Sequence, residues 1–209
     1  MVGFWNYTVY MTYIGMLSAV TGILLSARGH AFWALLCLIV CGAVDGVDGT
    51  IARTKKNRTP SEKRFGIEID SLSDLVAFGV LPGAIACALS KGIWPCIVAA
   101  IYALCALIRL SYFDVLAQEK LIAGDSSACY VGLPVTTAAY LLPAVFCFIP
   151  LLGIATVGKL LPWLLLALGV LFITPFHMKK PGKLFVVIGV LLSAAMLITL
   201  LIEHGKGLI

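Results

Sequence analysis

Charged residues are scarce in this sequence, and their scarcity argues against an ordinary soluble domain. Only 12% of the 209 residues are charged and 61% are hydrophobic, whereas roughly a quarter of a soluble protein is charged. A membrane-spanning helix needs ~20 consecutive apolar residues. The composition therefore predicts one integral membrane domain over residues 1–209, with no second, soluble domain.

Features typical of other protein classes are also absent. None of the seven cysteines forms a C-x-x-C motif, and most lie within apolar runs. Cys37 and Cys41 are one helical turn apart and could be a ligand pair, but small buried hydrophobic side chains are the favoured interpretation, and no disulfide is predicted. The N-terminus lacks a basic segment and a small-residue cleavage site, so we expect the first apolar segment to remain as a span.

The net charge of +5 does not indicate nucleic-acid binding, because no basic stripe with interleaved aromatic residues is present. The basic residues concentrate instead in two loops. The first loop holds Arg53, Lys55, Lys56, Arg58, Lys63 and Arg64, and the second holds Lys179, Lys180 and Lys183. This bias follows the positive-inside rule and suits anionic headgroups. It predicts that both loops and the N-terminus lie in the cytoplasm.

Apolar runs separated by polar residues, glycine or proline predict an all-α, polytopic membrane bundle of six to eight transmembrane helices. Seven segments are the favoured number. They lie at about 9–26, 31–53, 66–89, 93–116, 133–150, 155–176 and 184–202.

Four aspartates interrupt the second and third predicted spans. Asp45 and Asp48 are three residues apart, and Asp70 and Asp74 are four apart, so each pair lies on one helix face. Two helices joined by a short loop can bring these faces together. Arg109 falls at a similar depth in the fourth span at ~1.5 Å per residue. The spacing predicts one polar site inside the membrane that is open to the cytosol.

We expect divalent cations to bind between the four converging carboxylates, because without a counter-charge the carboxylates would repel one another. Oxygen ligands favour Mg²⁺ or Mn²⁺, with Ca²⁺ as a possible substitute, over Zn²⁺. Four carboxylates can hold two ions, which suits phosphoryl chemistry. The alternative is a cation or proton pathway; however, the acids cluster near one face beside Gly46, Gly49 and Gly66, whose lack of side chains lets a ligand approach closely.

The same stretch resembles the signature of the CDP-alcohol phosphotransferases, D-x-x-D-G-x-x-A-R followed by G-x-x-x-D-x-x-x-D. The gap between the two halves is longer here than in many members, and it falls in a loop where insertions are tolerated. The matching residues are Asp45, Asp48, Gly49, Ala52, Arg53, Gly66, Asp70 and Asp74.

Within that family the chain looks most like the phosphatidylserine synthases. The similar stretches are FGIEIDSLSDLVAFGVLPG, RLSYFDV and YVGLPVTTAA, so the resemblance covers roughly residues 40–140. Tyr112 stands where that group commonly has arginine, Asp114 where it has asparagine, and Thr136 or Thr137 near a usual proline. These departures bear on the acceptor alcohol more than on the chemistry.

The resemblance implies transfer of a phosphatidyl group from CDP-diacylglycerol to L-serine, with release of CMP. It implies that the four aspartates are metal ligands and that Asp74 is also the general base. Gly49 and Ala52 would let the nucleotide approach, with Gly66 beside it, and Arg53 would hold a phosphate. We expect Arg109 to bind the serine carboxylate, although it could instead be a structural partner of an aspartate.

Two other functions remain open. One is a sister transferase that uses inositol phosphate, glycerol phosphate or choline, and the other is a cation transporter. A phosphorylated acceptor would need several cations, and only Arg109 lies at the right depth outside the loop. By resemblance we also expect a homodimer. From the positive-inside bias we expect the active site to face the cytoplasm, and from the compact polytopic chain we expect the protein in the cell's inner membrane.

Overall fold

The computed structural model describes residues 9–52, 59–123, 130–175 and 177–178, with isolated positions near both ends. Nearly all of this part of the chain is helical. The α-helices are α1 (Tyr10–Ala27), α2 (Ala31–Ala52), α3 (Pro60–Asp74), α4 (Leu81–Leu89), α5 (Trp94–Ala123), α6 (Ala138–Phe146), α7 (Ile149–Leu152) and α8 (Ile154–Ile173).

Five helical segments in the described residues are long and apolar enough to cross a membrane. They coincide with five of the seven spans predicted from the sequence. The predicted span at 133–150 is divided between a short 3₁₀ turn, α6 and α7, and its apolar part, Val135–Phe146, is shorter than a typical span. The predicted span at 184–202 lies mostly outside the described residues.

The third span begins earlier than its apolar residues predict, at Pro60 instead of residue 66. The Thr59 side chain accepts a hydrogen bond from the Glu62 backbone amide at 3.2 Å, and the Glu62 carboxylate accepts one from the Thr59 amide at 2.8 Å. This capping box, with proline in the first turn, satisfies amide groups that otherwise lack partners at a helix start. The local sequence T-P-S-E therefore sets the boundary.

A π-helical segment, Leu75–Val80, joins α3 to α4 without interrupting the span. The Leu81 amide donates to the carbonyl of Val76, five residues back. The cause lies at Pro82, which has no amide hydrogen and whose ring crowds the carbonyl four residues earlier, that of Phe78. The buried Tyr102 hydroxyl on α5 donates to this carbonyl at 2.6 Å.

Small residues let the helices approach closely, as is typical of membrane bundles. A Cβ added at Gly22 of α1 would lie 2.9 Å from Cys37 of α2, and one added at Gly83 of α4 would lie 2.8 Å from Ala99 of α5. Between α1 and α2, Ser18 donates a hydrogen bond to the carbonyl of Cys37 at 3.1 Å. These contacts hold the helices in fixed register around one core. The largest fully buried side chains include Tyr102, Phe78, Phe146, Leu35, Leu38, Leu81, Leu142, Leu161 and Leu165.

The cysteines on the helices contribute small side chains to this packing. The six cysteines in the described part of the chain are free thiols, as the sequence predicts. Cys41 of α2 donates a hydrogen bond to the Gly15 carbonyl of α1 at 3.4 Å. Outside the helices, a two-residue ribbon pairs β1 (Tyr130–Val131) antiparallel with β2 (His177–Met178).

Candidate active site

The carboxylates of three aspartates meet where α2 approaches α3. Oxygen atoms of Asp45, Asp70 and Asp74 all lie within 4.8 Å of one another, and each residue is half-buried. Asp48, one turn after Asp45, is only 8% exposed and comes within hydrogen-bonding reach of Asp70. Two carboxylates within hydrogen-bonding reach repel each other unless they share a proton or a cation lies between them. We call these four residues the aspartate cluster.

The aspartate cluster has the donor set and the spacing of a divalent-cation site. Ions such as Mg²⁺ and Ca²⁺ bind oxygen at about 2.0–2.6 Å, so ligands on opposite sides of one ion lie up to ~4–5 Å apart. The 4.8 Å separation falls within that limit. Asp74 interacts electrostatically with the other three carboxylates and with Arg109. One described arginine beside four acids leaves a surplus of negative charge that bound cations would neutralise.

Arg109 approaches the site from α5. It is 8% exposed, and its guanidinium carbon lies 4.6 Å from the centre of the Phe113 ring, a favourable cation–π distance. Arg109 also lines a cavity of about 230 Å³, together with Tyr112, Gly132 and Thr174. This volume is below the ~300–1,000 Å³ of sites for drug-sized ligands, so the cavity has room only for a small molecule, and Arg109 supplies its one charged group among mostly apolar neighbours.

A hydrogen bond ties α3 to α5 beside the cluster. The Ser71 hydroxyl donates to a carboxylate oxygen of Asp114 at 2.5 Å. Ser71 directly follows Asp70, and Asp114 interacts electrostatically with Asp70. Asp114 is thus a fifth acid near the cluster, held on the side of α3 that faces α5. Sequence comparison marked Asp114 only as a departure from asparagine, and its serine partner was not predicted.

The glycines and small residues of the motif that the structure describes lie on the two helices that carry the cluster. Gly49 and Ala52 are in the last turn of α2, whereas Arg53 lies outside the described residues. Gly66 is half-buried on α3, one turn before Asp70. A Cβ added at Gly46 would meet no atom within 4 Å, so there is open space directly beside Asp45.

Two tyrosines near the site were missed by sequence reasoning. Tyr140 of α6 is half-buried and interacts electrostatically with Asp45. Tyr102 is connected to the cluster indirectly. Its hydroxyl contacts the π-helical segment, and that segment begins at the residue after Asp74. π-Helical turns inside α-helices occur frequently at functional sites. The proline at position 82, four residues after Phe78, is the one local signal that could have drawn attention to this segment.

Comparison with known proteins gives consistent matches. The family model for CDP-alcohol phosphatidyltransferases matches residues 5–174. A CDP-diacylglycerol–serine O-phosphatidyltransferase of Methanocaldococcus jannaschii is 30% identical over 177 residues, covering 84% of this chain and 77% of the relative. Proteins of the same name from Mycobacterium tuberculosis and Saccharomyces cerevisiae are 31% and 36% identical. Those matches cover 62% and 57% of this chain but only 44% and 42% of the relatives, so the chain spans less than half of their length.

Proposed function

Because this chain belongs to the CDP-alcohol phosphatidyltransferase family, we propose that it transfers a phosphatidyl group from CDP-diacylglycerol to L-serine. The products are phosphatidylserine and CMP. The observation that carries the proposal is the meeting of Asp45, Asp70 and Asp74 within 4.8 Å at the family motif. The relatives named for serine transfer support the choice of acceptor.

In the proposed reaction, the serine hydroxyl oxygen bonds to the phosphorus that carries diacylglycerol. The bond from that phosphorus to the bridging oxygen breaks, and CMP leaves with the electron pair. Asp74 takes the hydroxyl proton, since an unassisted serine hydroxyl is a poor nucleophile. Asp45, Asp48, Asp70 and Asp74 would hold two Mg²⁺ or Mn²⁺ ions. Bound ions would neutralise the diphosphate oxygens and stabilise CMP as a leaving group.

The remaining motif residues would bind the donor. Gly49 and Ala52 keep the end of α2 free of bulk where the nucleotide approaches, and Gly66 does the same on α3. Arg53 supplies a positive charge for a phosphate oxygen. The open space beside Gly46 is consistent with a substrate lying against this part of α2.

Arg109 is the proposed site for the serine carboxylate. Arg109 lines a small cavity and interacts electrostatically with Asp74, and both observations support this role. Arg109→Ala should raise the KM for serine far more than the KM for CDP-diacylglycerol, because only serine loses its charged partner. Steady-state kinetics with each substrate varied in turn measures both constants. An unchanged serine KM would show that Arg109 only partners the aspartates.

The bilayer setting is part of the proposal. We propose six to eight spans in one domain over residues 1–209, with the active site facing the cytoplasm at the cell's inner membrane. The apolar segment at 184–202 supports a further span beyond the five apolar helices. We also propose a homodimer, which light scattering of the purified protein in detergent would test.

The test is CMP release by purified protein with CDP-diacylglycerol, Mn²⁺ and a panel of acceptors: serine, inositol phosphate, glycerol phosphate and choline. Release with serine, abolished by Asp74→Asn, is the expected result. Glu119→Gln removes an exposed carboxylate from α5 outside the cluster and should leave release intact. Release with another acceptor alone would move the chain to a sister activity, and no metal-dependent release would favour cation transport.

A further inference from the structure

A second cavity, mostly apolar but with two lysines in its lining, lies far from the aspartate cluster. It has a volume of about 610 Å³ and is lined by residues of α4, α5, α8 and the turn between α4 and α5, including Lys91, Trp94, Lys159 and Trp163. We call it the Lys91–Lys159 cavity. Sixteen residues separate Asp74 from Ser90 at its edge, ~24 Å at ~1.5 Å per residue. This distance approaches the ~30 Å hydrocarbon thickness of a bilayer, so the cavity opens at the opposite membrane surface.

A close contact between α4 and α8 brings the two lysines together. Ser90 donates a hydrogen bond to the Gly158 carbonyl at 2.5 Å. A Cβ added at Gly158 would lie 2.6 Å from the carbonyl oxygen of Leu89, so only glycine permits this approach. Lys91 and Lys159 directly follow the two hydrogen-bonded residues. The close packing of α4 against α8 therefore places both lysine side chains at one cavity.

The positive charge of this cavity has no counter-charge in the described part of the chain. Neither Lys91 nor Lys159 makes a hydrogen bond or ion pair there. The carboxylates that the structure describes lie in the second half of α2, along α3 up to its last residue, and in the last third of α5. An anion that enters the cavity would meet two cations, and none of the described acids would compete with it there.

The aromatic lining indicates what kind of anion fits. Trp94 and Trp163 stand 5.7 Å apart between ring centres, and they are 46% and 60% exposed. Tryptophan favours the headgroup layer of a bilayer, where its ring contacts the glycerol region. On the cytoplasmic side of membranes, basic pockets between transmembrane helices bind the headgroups of anionic lipids, and the same attraction between ammonium and phosphate acts at the opposite surface. A site with two ammonium groups and two indole rings matches a phosphate attached to a diacylglycerol more closely than a free phosphate.

We propose that the Lys91–Lys159 cavity binds the headgroup of an anionic phospholipid from the leaflet opposite the aspartate cluster. The phosphate lies between the two ammonium groups, and the glycerol backbone lies against Trp94 and Trp163. The bound lipid bridges α4, α5 and α8 at their ends. This inference concerns lipid binding and stands whether or not the chain transfers phosphatidyl groups.

The test uses the full chain purified in a neutral maltoside detergent and titrated with phosphatidylglycerol, with native mass spectrometry counting bound lipids. Lys91→Gln should raise the Kd of one bound phosphatidylglycerol about fivefold, and the double variant Lys91→Gln, Lys159→Gln should raise it about thirtyfold. These factors follow from the usual contribution of each basic group near an anionic surface. Arg28→Gln is the matched control, because Arg28 is an exposed cation between α1 and α2 on the same membrane face. Replacing both lysines with arginine should preserve binding.

Two further arms separate the possible ligands. Phosphatidylcholine should bind this site much more weakly, since its headgroup carries no net charge, and inorganic phosphate should neither bind measurably nor displace the lipid. Thermal unfolding without lipid should be the same for wild type and the double glutamine variant. The proposal is overturned if that variant binds as many phosphatidylglycerol molecules with the same affinity, if phosphatidylcholine binds equally well, or if free phosphate displaces the lipid.

Discussion

Tyr102→Phe removes one hydroxyl and tests the structural reason for the π-helical segment. The Tyr102 hydroxyl donates to the Phe78 carbonyl at 2.6 Å, and both residues are fully buried. Pro82 cannot supply the amide that would pair this carbonyl in an α-helix. An unpaired buried polar group costs about 1–3 kcal/mol. The variant should therefore lose about that much free energy of unfolding while its packing volume stays nearly constant.

Thermal unfolding in detergent measures this loss, with Tyr10→Phe as the control. Tyr10 is half exposed at the start of α1, so loss of its hydroxyl should change stability very little. Pro82→Ala in the Tyr102→Phe background supplies an amide four residues after Phe78. The double variant should therefore recover stability, in a non-additive way that a double-mutant cycle detects.

Tyr102→Phe should also affect the reaction, by changing the position of Asp74 and not by removing a contact with the substrate. Because the π-helical segment starts at the residue after Asp74, a change in its geometry shifts the proposed base. We expect Tyr102→Phe to lower kcat with little change in either KM. If Tyr102→Phe unfolds at the temperature of Tyr10→Phe, the hydrogen bond does not offset the effect of Pro82, and the reasoning is wrong.

Three further predictions concern the cluster and its supports. Asp45→Asn should abolish transfer yet raise the unfolding temperature in EDTA, because it relieves repulsion among buried carboxylates; an equal or lower temperature would contradict this. Ser71→Ala should lower the free energy of unfolding by about 1.5–3 kcal/mol, since that is what a hydrogen bond to a charged group contributes, whereas Asp114→Asn keeps an acceptor and should retain most of that stability in the same thermal-unfolding assay. Gly42→Ala places a Cβ 2.7 Å from a side-chain carbon of α6 and should cost about 1–3 kcal/mol in thermal unfolding, whereas Gly46→Ala, with open space, should not.

Long apolar runs made the spans predictable, and local capping made their boundaries harder to predict. The predicted spans at 9–26 and 31–53 agree with α1 and α2 within a residue, because their loop is marked by Arg28, Gly29 and His30. The third began at Pro60 because a capping box extended the helix through polar residues. The span predicted at 133–150 is not one continuous helix, since its apolar residues fall in separate helices.

The aspartate cluster was predictable because its information is local. Spacings of three and four residues place the acids of each pair on one helix face, and a short connection restricts how the two helices meet. The bond from Ser71 to Asp114 joins residues 43 positions apart, and the bond from Tyr102 to Phe78 spans 24. No periodicity in the sequence specifies such pairs, because they depend on how separate helices pack. Tyr140 was missed beside Asp45 for the same reason.

The most direct test of the central claim is the transfer of labelled serine into lipid by the purified chain. Reactions contain CDP-diacylglycerol and either Mn²⁺ or EDTA, and the organic phase is analysed for phosphatidylserine. The proposed reaction should give labelled phosphatidylserine and an equal amount of CMP with Mn²⁺, and neither product with EDTA or with Asp70→Asn. Full incorporation of label by Asp70→Asn, or in EDTA, would contradict a metal-dependent reaction at the aspartate cluster.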